Sequence, residues 1–231
     1  MFTILEGVGL VCITVVGLQF CRIIYRITYN SIIGPFFKKN VDFTQYGRWA
    51  VITGATDGIG RAYAEALAKQ GMDIVLISRN MSKLEAVSEA LEKTHQVKTV
   101  IIEADFTDPS PTMYNHIEKE LVVLKPPPIV LINNVGMSYP YPEYFLDLPD
   151  RDQRFMDIIN CNILSVTNMC KMIIPNMFDN GKGVVINISS TAALIPSPML
   201  TVYAASKVCF HIFPPYLTIH TGYACLLILV R

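Results

Sequence analysis

An excess of charge of one sign is missing from this sequence of 231 residues, in which 19 Lys and Arg residues balance 19 Asp and Glu residues. A nucleic-acid-binding domain normally carries a clear basic excess, so no nucleic-acid partner is expected. The four histidines show no ligand spacing, and we therefore predict no metal site. The sequence also lacks an internal repeat at a fixed period and a low-complexity tract, which excludes a repeat array.

Disulfide and zinc-binding patterns are missing as well. The sequence contains six cysteines, none in a CxxC or CxxxxH spacing: Cys12, Cys21, Cys161, Cys170, Cys209 and Cys225. Because neither a disulfide framework nor a zinc site is indicated, we expect reduced thiols that are mostly buried.

Apolar residues make up 52% of the chain, above the roughly 45–50% of an average soluble domain. Much of the excess lies near the N-terminus, where Gly7–Phe20 contains no charged residue. Gly7–Tyr25 approaches the about 20 residues that a membrane-spanning helix needs. Since Arg22 lies near its C-terminal end and Arg26, Lys38 and Lys39 follow it, a signal anchor would leave the rest of the chain in the cytosol. An interfacial helix and a cleaved secretory signal are the alternatives.

Apolar runs alternate with helix-like segments through most of the remaining chain. The runs that predict buried strands are WAVITG, DIVLISR, KTVIIEADF, IVLINNVG and GVVINISS. The longest predicted helix runs from about Gln153 to Met177, and another should begin near Thr201. The runs are continuously apolar, as expected for a parallel sheet that is covered on both faces. The sequence therefore predicts an α/β fold with a doubly wound parallel sheet, preceded by an N-terminal membrane helix.

A glycine-rich turn, TGATDGIG, joins the first predicted strand to the first helix after it. Gly54 permits a positive φ at the turn, Gly58 lets the backbone approach a pyrophosphate, and Gly60 lets the helix pack closely on the strand. The N-terminus of the following helix favours phosphate groups. This context within a β–α–β unit predicts a dinucleotide-binding site.

The second predicted strand has no acidic residue at its end, where an NAD site would place one for the ribose hydroxyls. It ends instead in Ser78 and Arg79. Because a guanidinium suits a 2′-phosphate, we expect NADP(H) as the cofactor. An Arg79 that merely caps the sheet edge is the alternative.

Taken together, TGATDGIG, the NNVG motif at Asn133–Gly136, Ser190 and the pair Tyr203-x-x-x-Lys207 resemble the classical short-chain dehydrogenase/reductases. These have a Rossmann-type doubly wound sheet. YGRWAVITGATDGIG, LISRN, NNVGMSYPYPEYF and NISS are similar to the branch of very-long-chain 3-oxoacyl-CoA reductases and 17β-hydroxysteroid dehydrogenases types 12 and 3.

The resemblance implies reduction of a ketone, with hydride from NADPH and a proton from Tyr203. Lys207, one helical turn further on, would favour the phenolate and hold the nicotinamide ribose. Ser190 would hydrogen-bond the substrate oxygen. Asn162 matches the family asparagine that holds a water of the proton relay, and its neighbour Asn160 is the alternative for that role.

The resemblance also implies a set of cofactor-binding residues. Asp105 would contact the adenine, and Asn134 would brace the cofactor side of the fourth strand. The full set is Gly54, Thr56, Asp57, Gly58, Ile59, Gly60, Ser78, Arg79, Asp105, Asn134, Tyr203 and Lys207.

The substrate implied by the branch is a lipid, either a very-long-chain 3-oxoacyl-CoA of fatty acid elongation or a 17-keto steroid. Members of the branch carry an N-terminal anchor in the endoplasmic reticulum membrane, which fits Gly7–Tyr25 with the catalytic domain in the cytosol. The resemblance allows a homodimer. A non-catalytic, truncated homologue held at the membrane is the alternative function.

The resemblance covers about Gln45 to Val208 and then ends. We expect an anchor at 1–30, a linker at 31–47, the NADP-binding reductase domain at 48–208 and an aberrant apolar tail at 209–231. Pro214 and Pro215 should end the helix that carries Tyr203, and the strands of the C-terminal side of the sheet are expected to be missing. The final run ACLLILV could form one strand or an exposed, aggregation-prone patch. The tail could come from an alternative transcript or a faulty gene model, or be a divergent end that contacts the membrane.

Aromatic residues also cluster after the fourth predicted strand. The cluster consists of Tyr139, Tyr141, Tyr144 and Phe145. These side chains could line a substrate mouth or cover the edge of the sheet, and the sequence leaves both readings open.

Overall fold

The chain folds into two compact units, Met1–Val41 and Asp42–Arg231, as seen in a computed structural model. The structure describes residues 4–29, 42–210 and 224–230. The second unit thus begins within the predicted linker at 31–47, and its first described element is a short 3₁₀ turn at Phe43–Gln45. Pro214 and Pro215 lie outside the described residues.

The first unit contains one long helix, α1, at Ile4–Thr28. Its apolar part is Gly9–Tyr25, within the segment predicted as the anchor. Side chains such as Leu10, Ile13 and Leu18 are exposed. A helix that is apolar on all sides is stable where its surroundings are also apolar.

The second unit is built on one parallel sheet with the strand order β3-β2-β1-β4-β5-β6. The strands are β1 (Trp49–Thr53), β2 (Asp73–Ser78), β3 (Thr99–Glu103), β4 (Val130–Asn133), β5 (Val184–Ser190) and β6 (Ala224–Val230). The predicted doubly wound parallel sheet is thereby confirmed, and the strand order reverses between β1 and β4.

Helices connect the strands at nearly the predicted positions. They are α2 (Gly58–Lys69), α3 (Met81–His95), α4 (Pro111–Val122), α5 (Arg151–Ile159) and α6 (Ser165–Asn180), followed by α7 at residues 201–210. Ser110 caps α4, because its hydroxyl accepts the N–H of Met113. Pro111 suits the first helical position, since a backbone N–H at that position would have no partner within the helix.

The long helix predicted at Gln153–Met177 is observed as α5 and α6, joined by a π-helical turn at Asn160–Leu164. The stretch Arg151–Asn180 is long and apolar enough to cross a membrane by length and composition alone, but half of its most apolar window is buried in the fold. We therefore assign it as a core helix. Its π-helical turn is a feature that often marks a functional site.

Two apolar clusters cover the two faces of the sheet. On one face Val51 and Leu131 pack with Met169 of α6. On the other face Ile132 packs in a cluster with Leu67 of α2. Because neighbouring strand residues point to opposite faces, the continuous apolar runs supply both clusters, as the sequence predicted.

The run ACLLILV forms a strand, which is the first of the two alternatives that the sequence left open. Ala224–Val230 forms β6, which pairs in parallel with β5 along its whole length, from Val184↔Ala224 to Ser190↔Val230. Without β6, the strand β5 would lie at the edge of the sheet with unpaired N–H and C=O groups. The run ACLLILV pairs with these groups. This part of the predicted tail therefore belongs to the sheet.

The central position of Leu131 predicts a large effect of its truncation. Leu131 is fully buried in β4, so Leu131→Ala should leave a cavity and lower the free energy of unfolding by about 2–5 kcal/mol. Urea unfolding of the full chain in detergent measures this change. The matched control is Val123→Ala, whose side chain is 69% exposed and should change the value by less than about 0.5 kcal/mol. Equal effects of the two variants would contradict the assigned core.

Candidate functional site

A crevice of about 800 Å³ opens at the carboxyl ends of β1, β2 and β4, where the strand order reverses. Open parallel sheets bind their ligands at such a point. The predicted cofactor residues that line the crevice are Gly54, Thr56, Asp57, Gly58, Ile59, Ser78, Arg79, Asp105 and Asn134. Gly60, Tyr203 and Lys207 do not line it. The structure therefore brings most of the predicted cofactor set into one cavity.

The glycine-rich turn has the backbone geometry that its sequence requires. Gly54 and Gly58 have φ values of 64° and 50°, in the left-handed region that favours glycine. A Cβ on Gly60 would collide with the Gly54 carbonyl oxygen and the Asn134 side chain. Asp57 caps α2 by accepting the N–H of Gly58 at 2.8 Å. The turn thus lets the N-terminus of α2 border the crevice closely, as a phosphate-binding turn must.

Asn134 joins the end of β4 to the turn after β1. Its Nδ2 donates to the carbonyl oxygens of Thr53 and Gly54, each at 3.0 Å. The Thr53 hydroxyl accepts the backbone N–H groups of Asn134 and Val135, each at 3.1 Å. These bonds fix the two strand ends that flank the reversal of the strand order.

The other predicted nucleotide contacts follow β2 and β3. Ser78 Oγ lies 3.0 Å from Thr56 Oγ1 across the crevice wall, and Arg79 is exposed beside them. Lys83, on the first turn of α3, lies 3.7 Å from the Asp57 carboxylate. Asp105 accepts the N–H and the hydroxyl of Thr107 in a local turn. Two cationic side chains, Arg79 and Lys83, therefore border one end of the crevice.

Lys207 is buried, with only 5% of its surface exposed. Its Nζ donates to the Ile188 carbonyl oxygen at 3.1 Å. It also lies 5.9 Å from the ring centre of Tyr203 and 4.9 Å from that of Phe210. Burial lowers the pKa of Lys207 to about 8, an effect that Cys161 partly offsets. The amine therefore stays mostly protonated at pH 7.

Asn162 lies beside this lysine, at the π-helical turn between α5 and α6. Its Oδ1 accepts the Met137 N–H at 2.8 Å, and its Nδ2 donates to the Met137 carbonyl and to Ser206 Oγ, each at 2.9 Å. A Cβ placed on Gly136 would be 3.0 Å from Lys207 Nζ and 3.3 Å from Asn162 Oδ1. Asn160 instead donates to the Thr107 carbonyl. The lysine and Asn162 thus meet at Gly136, which also lines the crevice.

Ser190 and Tyr203 lie on two elements that are tied together. Ser190 ends β5, and its hydroxyl accepts the N–H of Ala192 at 3.2 Å. Tyr203 is half-buried in the first turn of α7. The hydroxyl of Ser189 donates to the Lys207 carbonyl at 3.0 Å and so links the end of β5 to α7.

Several residues of the site were not predicted from the sequence. The crevice is also lined by Asn80, Lys83, Phe106, Thr107, Met137, Ser138, Arg154 and Cys161. For Lys83 a signal existed, because this second basic residue follows Arg79 by four positions and falls at the start of the next predicted helix. Arg154 and Cys161 belong to the long helical stretch, and no local pattern marks them.

Two further expectations concern the burial of the cysteines and the position of the aromatic residues after β4. The expectation of mostly buried cysteines is wrong for Cys12, Cys21 and Cys209, which are exposed.

Among the aromatic residues after β4, Tyr139 is 9% exposed and packs at 6.2 Å from the ring of Phe155. None of the four clustered aromatic residues lines the crevice.

A family model described as short chain dehydrogenase matches residues 48–218. The very-long-chain 3-oxoacyl-CoA reductase-B of Danio rerio is 50% identical over 161 residues, which are 70% of this chain and 50% of that protein. The very-long-chain 3-oxoacyl-CoA reductase of Mus musculus is 48% identical over 184 residues, 80% of this chain and 55% of that protein. The chain thus spans about half the length of the curated relatives it matches.

Solved structures share the fold. A ketone-specific alcohol dehydrogenase from Comamonas testosteroni superimposes with a TM-score of 0.72 at 25% identity, covering 80% of this chain and 72% of that one. A short-chain dehydrogenase from Sphingobium yanoikuyae in complex with NADPH gives a TM-score of 0.71 at 27% identity, covering 78% and 70%.

The burial of Lys207 predicts a pH dependence of stability. Its pKa falls from the ordinary value of 10.5 to about 8 on folding. Between these values the unfolded chain binds a proton that the folded chain has lost, so the free energy of unfolding due to this lysine rises with pH. The rise should be on the order of 3 kcal/mol from about pH 8 to about pH 10.5, and absent below pH 8.

Urea unfolding of the wild type and of Lys207→Met, repeated across this pH range, gives the effect as the difference between the two proteins. Burial raises the pKa of Cys161 from 9.0 to about 11 and Lys207 partly lowers it, so the same pair is also measured in a Cys161→Ala background, which removes this overlapping titration. Lys69→Met removes an exposed lysine and serves as the control. A difference between wild type and Lys207→Met that stays constant with pH would contradict the burial of the amine.

Proposed function

Because this chain belongs to the short-chain dehydrogenase family, we propose that it is a membrane-anchored, NADPH-dependent oxidoreductase that reduces the ketone of a very-long-chain 3-oxoacyl-CoA. The observation that carries the proposal is the position of the buried Lys207 ammonium. It lies beside the Tyr203 ring and next to Gly136, where the crevice begins. A phenol and an ammonium beside a dinucleotide crevice suit proton delivery to a carbonyl oxygen.

The residues of the crevice fit NADPH. The turn at Gly54–Gly60 and the N-terminus of α2 would hold the pyrophosphate, and Arg79 would bind the 2′-phosphate, with Lys83 adding positive charge. Ser78 and Thr56 also line the crevice, and Asp105, which lines it too, would contact the adenine. NADPH supplies a hydride when it is bound.

The chain's own groups would handle the substrate oxygen and its proton. The Tyr203 hydroxyl donates a proton to the alkoxide that develops on the ketone oxygen. Lys207 stabilises the resulting phenolate, since its ammonium is held in place by the Ile188 carbonyl. Ser190 donates a hydrogen bond to the same substrate oxygen, and Asn162 holds a water that returns a proton toward Lys207.

The relatives and α1 support the proposed substrate and location. Relatives at 46–50% identity are named very-long-chain 3-oxoacyl-CoA reductases, which favours an acyl thioester over a 17-keto steroid. A long acyl chain partitions into lipid, and α1 would keep the enzyme at a membrane, which we propose is that of the endoplasmic reticulum with the catalytic unit in the cytosol.

The first test is Tyr203→Phe in the full chain, purified in detergent. Removal of the hydroxyl should lower turnover of a long-chain 3-oxoacyl-CoA with NADPH by at least about 100-fold. NADPH affinity, followed by cofactor fluorescence, should change little because the ring beside Lys207 remains. Tyr144→Phe is the matched control, since Tyr144 is 67% exposed.

Three other results would count against the proposal. NADPH binding without turnover of any ketone would favour the non-catalytic homologue. Turnover of a 17-keto steroid alone would assign the other substrate class. An active Tyr203→Phe protein would remove Tyr203 as the proton donor.

The second test concerns the choice of cofactor. Arg79→Gln removes the cation expected at the 2′-phosphate and should lower the preference for NADPH over NADH about 10- to 100-fold, the value of a lost charge-assisted hydrogen bond. Arg61→Gln is the control, because Arg61 pairs with Glu65 on the surface of α2. An unchanged preference in Arg79→Gln would support the alternative role of Arg79 as a cap of the sheet edge.

A further inference from the structure

Helix α7, which carries Tyr203 and Lys207, begins without a capping side chain of its own. The first bond within the helix runs from the Ala204 N–H to the Leu200 carbonyl, at 2.8 Å. Leu200 therefore occupies the N-cap position. The first N–H groups of a helix have no partner inside it, and an N-cap side chain with an oxygen normally accepts one of them. Leucine has no such oxygen.

Tyr139 supplies the missing acceptor from a distant part of the chain. The Val202 N–H donates to the Tyr139 hydroxyl oxygen at 3.0 Å, across 63 residues of sequence. Val202 is the second residue of the helix, one of the two positions whose N–H an N-cap side chain normally accepts. The phenol of Tyr139 thus stands where a serine or aspartate at position 200 would otherwise act.

The Tyr139 side chain is held in place for this contact. It is 9% exposed and forms a small buried cluster with Leu148 and Ile158. Its ring lies 6.2 Å from that of Phe155, on which Phe145 stacks at 4.9 Å. A hydroxyl carried by a packed ring loses little side-chain entropy when it makes its hydrogen bond.

A second bond ties the same loop to the chain just before α7. The Glu143 N–H donates to the Met199 carbonyl at 3.1 Å. Met199 has a φ of 63°, a left-handed conformation that is unfavourable for a residue other than glycine. The loop after β4 therefore holds both the entry and the first turn of the helix.

We propose that Tyr139 is a positioning residue that caps α7 across the fold and thereby fixes the first turn, which carries Tyr203. The role in catalysis rests on the proposed function of Tyr203, whereas the capping itself does not. Lys207 lies one turn further on and is anchored separately, through Ser189 to its carbonyl and through its Nζ to Ile188. Loss of the cap should therefore loosen Tyr203 and leave Lys207 in place.

The direct test is hydrogen exchange of the full chain in detergent. Tyr139→Phe keeps the ring and removes the acceptor, so amide exchange in residues 201–203 should become roughly 2- to 30-fold faster, the usual value of a cap. Exchange in residues 206–210 should stay the same. Tyr144→Phe removes an exposed phenol and should change neither region. Unchanged exchange in 201–203 of Tyr139→Phe would overturn the proposal.

A rescue variant separates capping from general packing. Leu200→Ser places a hydroxyl at the N-cap position, and in the Tyr139→Phe background it should restore slow exchange in residues 201–203. Because Leu200 packs against the cluster of Tyr139, Leu200→Ala in the same background is the control: it loses that packing without supplying an oxygen and should not restore slow exchange. If Tyr139→Phe alone does not fold, recovery of the folded chain by Leu200→Ser and not by Leu200→Ala supports the cap, and equal behaviour of the two contradicts it.

Activity gives a second, separable readout. If the wild type reduces a 3-oxoacyl-CoA, Tyr139→Phe should lower kcat while the Kd of NADPH stays unchanged, and Leu200→Ser should recover kcat. A lower NADPH affinity with unchanged kcat would overturn the positioning role. A wild type without turnover would refute the proposed function, and the exchange experiment would still decide whether Tyr139 caps the helix.

Discussion

The ammonium of Lys207 is buried between the Ile188 carbonyl and the rings of Tyr203 and Phe210. Moving a charge from water into the protein interior is costly. The cost is offset only where the surrounding groups are held in a geometry that stabilises the charge. The hydroxyl of Ser189 meets this need, because it holds α7 against the end of β5. The geometry of the candidate site depends on this contact.

The dinucleotide crevice and the lysine cluster are separate polar sites that meet at Gly136. The crevice is made by strand ends that Asn134 and Thr53 hold together. The lysine cluster is made by α7 and by the π-helical turn that carries Asn162. The space between them is tight at Gly136, because a Cβ there would lie 3.0 Å from Lys207 Nζ and 3.3 Å from Asn162 Oδ1, so a larger residue would require one of these side chains to shift. Because Gly136 also lines the crevice, a cofactor bound there would approach Lys207 and Asn162 beside this residue.

The loop after β4 connects these parts to the start of α7. Its inner side chain, Tyr139, packs in a small apolar cluster, while Tyr141 and Tyr144 point outward and are exposed. The aromatic residues that the sequence grouped as one cluster therefore differ in their surroundings: Tyr139 is buried, whereas Tyr141 and Tyr144 face solvent. Stability of the first turn of α7 comes from this loop and not from the helix's own sequence, because Leu200 offers no capping oxygen.

The sequence alone determined what depends on local patterns. Continuous apolar runs predicted β1 to β5, glycine spacing predicted the turn at Gly54–Gly60, and helical spacing placed Tyr203 and Lys207 on one face. Only the tertiary structure decided that the Lys207 side chain is buried, that Ala224–Val230 pairs with β5, and that Tyr139 caps α7. Burial, strand pairing and this cap join segments far apart in the chain, and a local pattern carries no information about such partners.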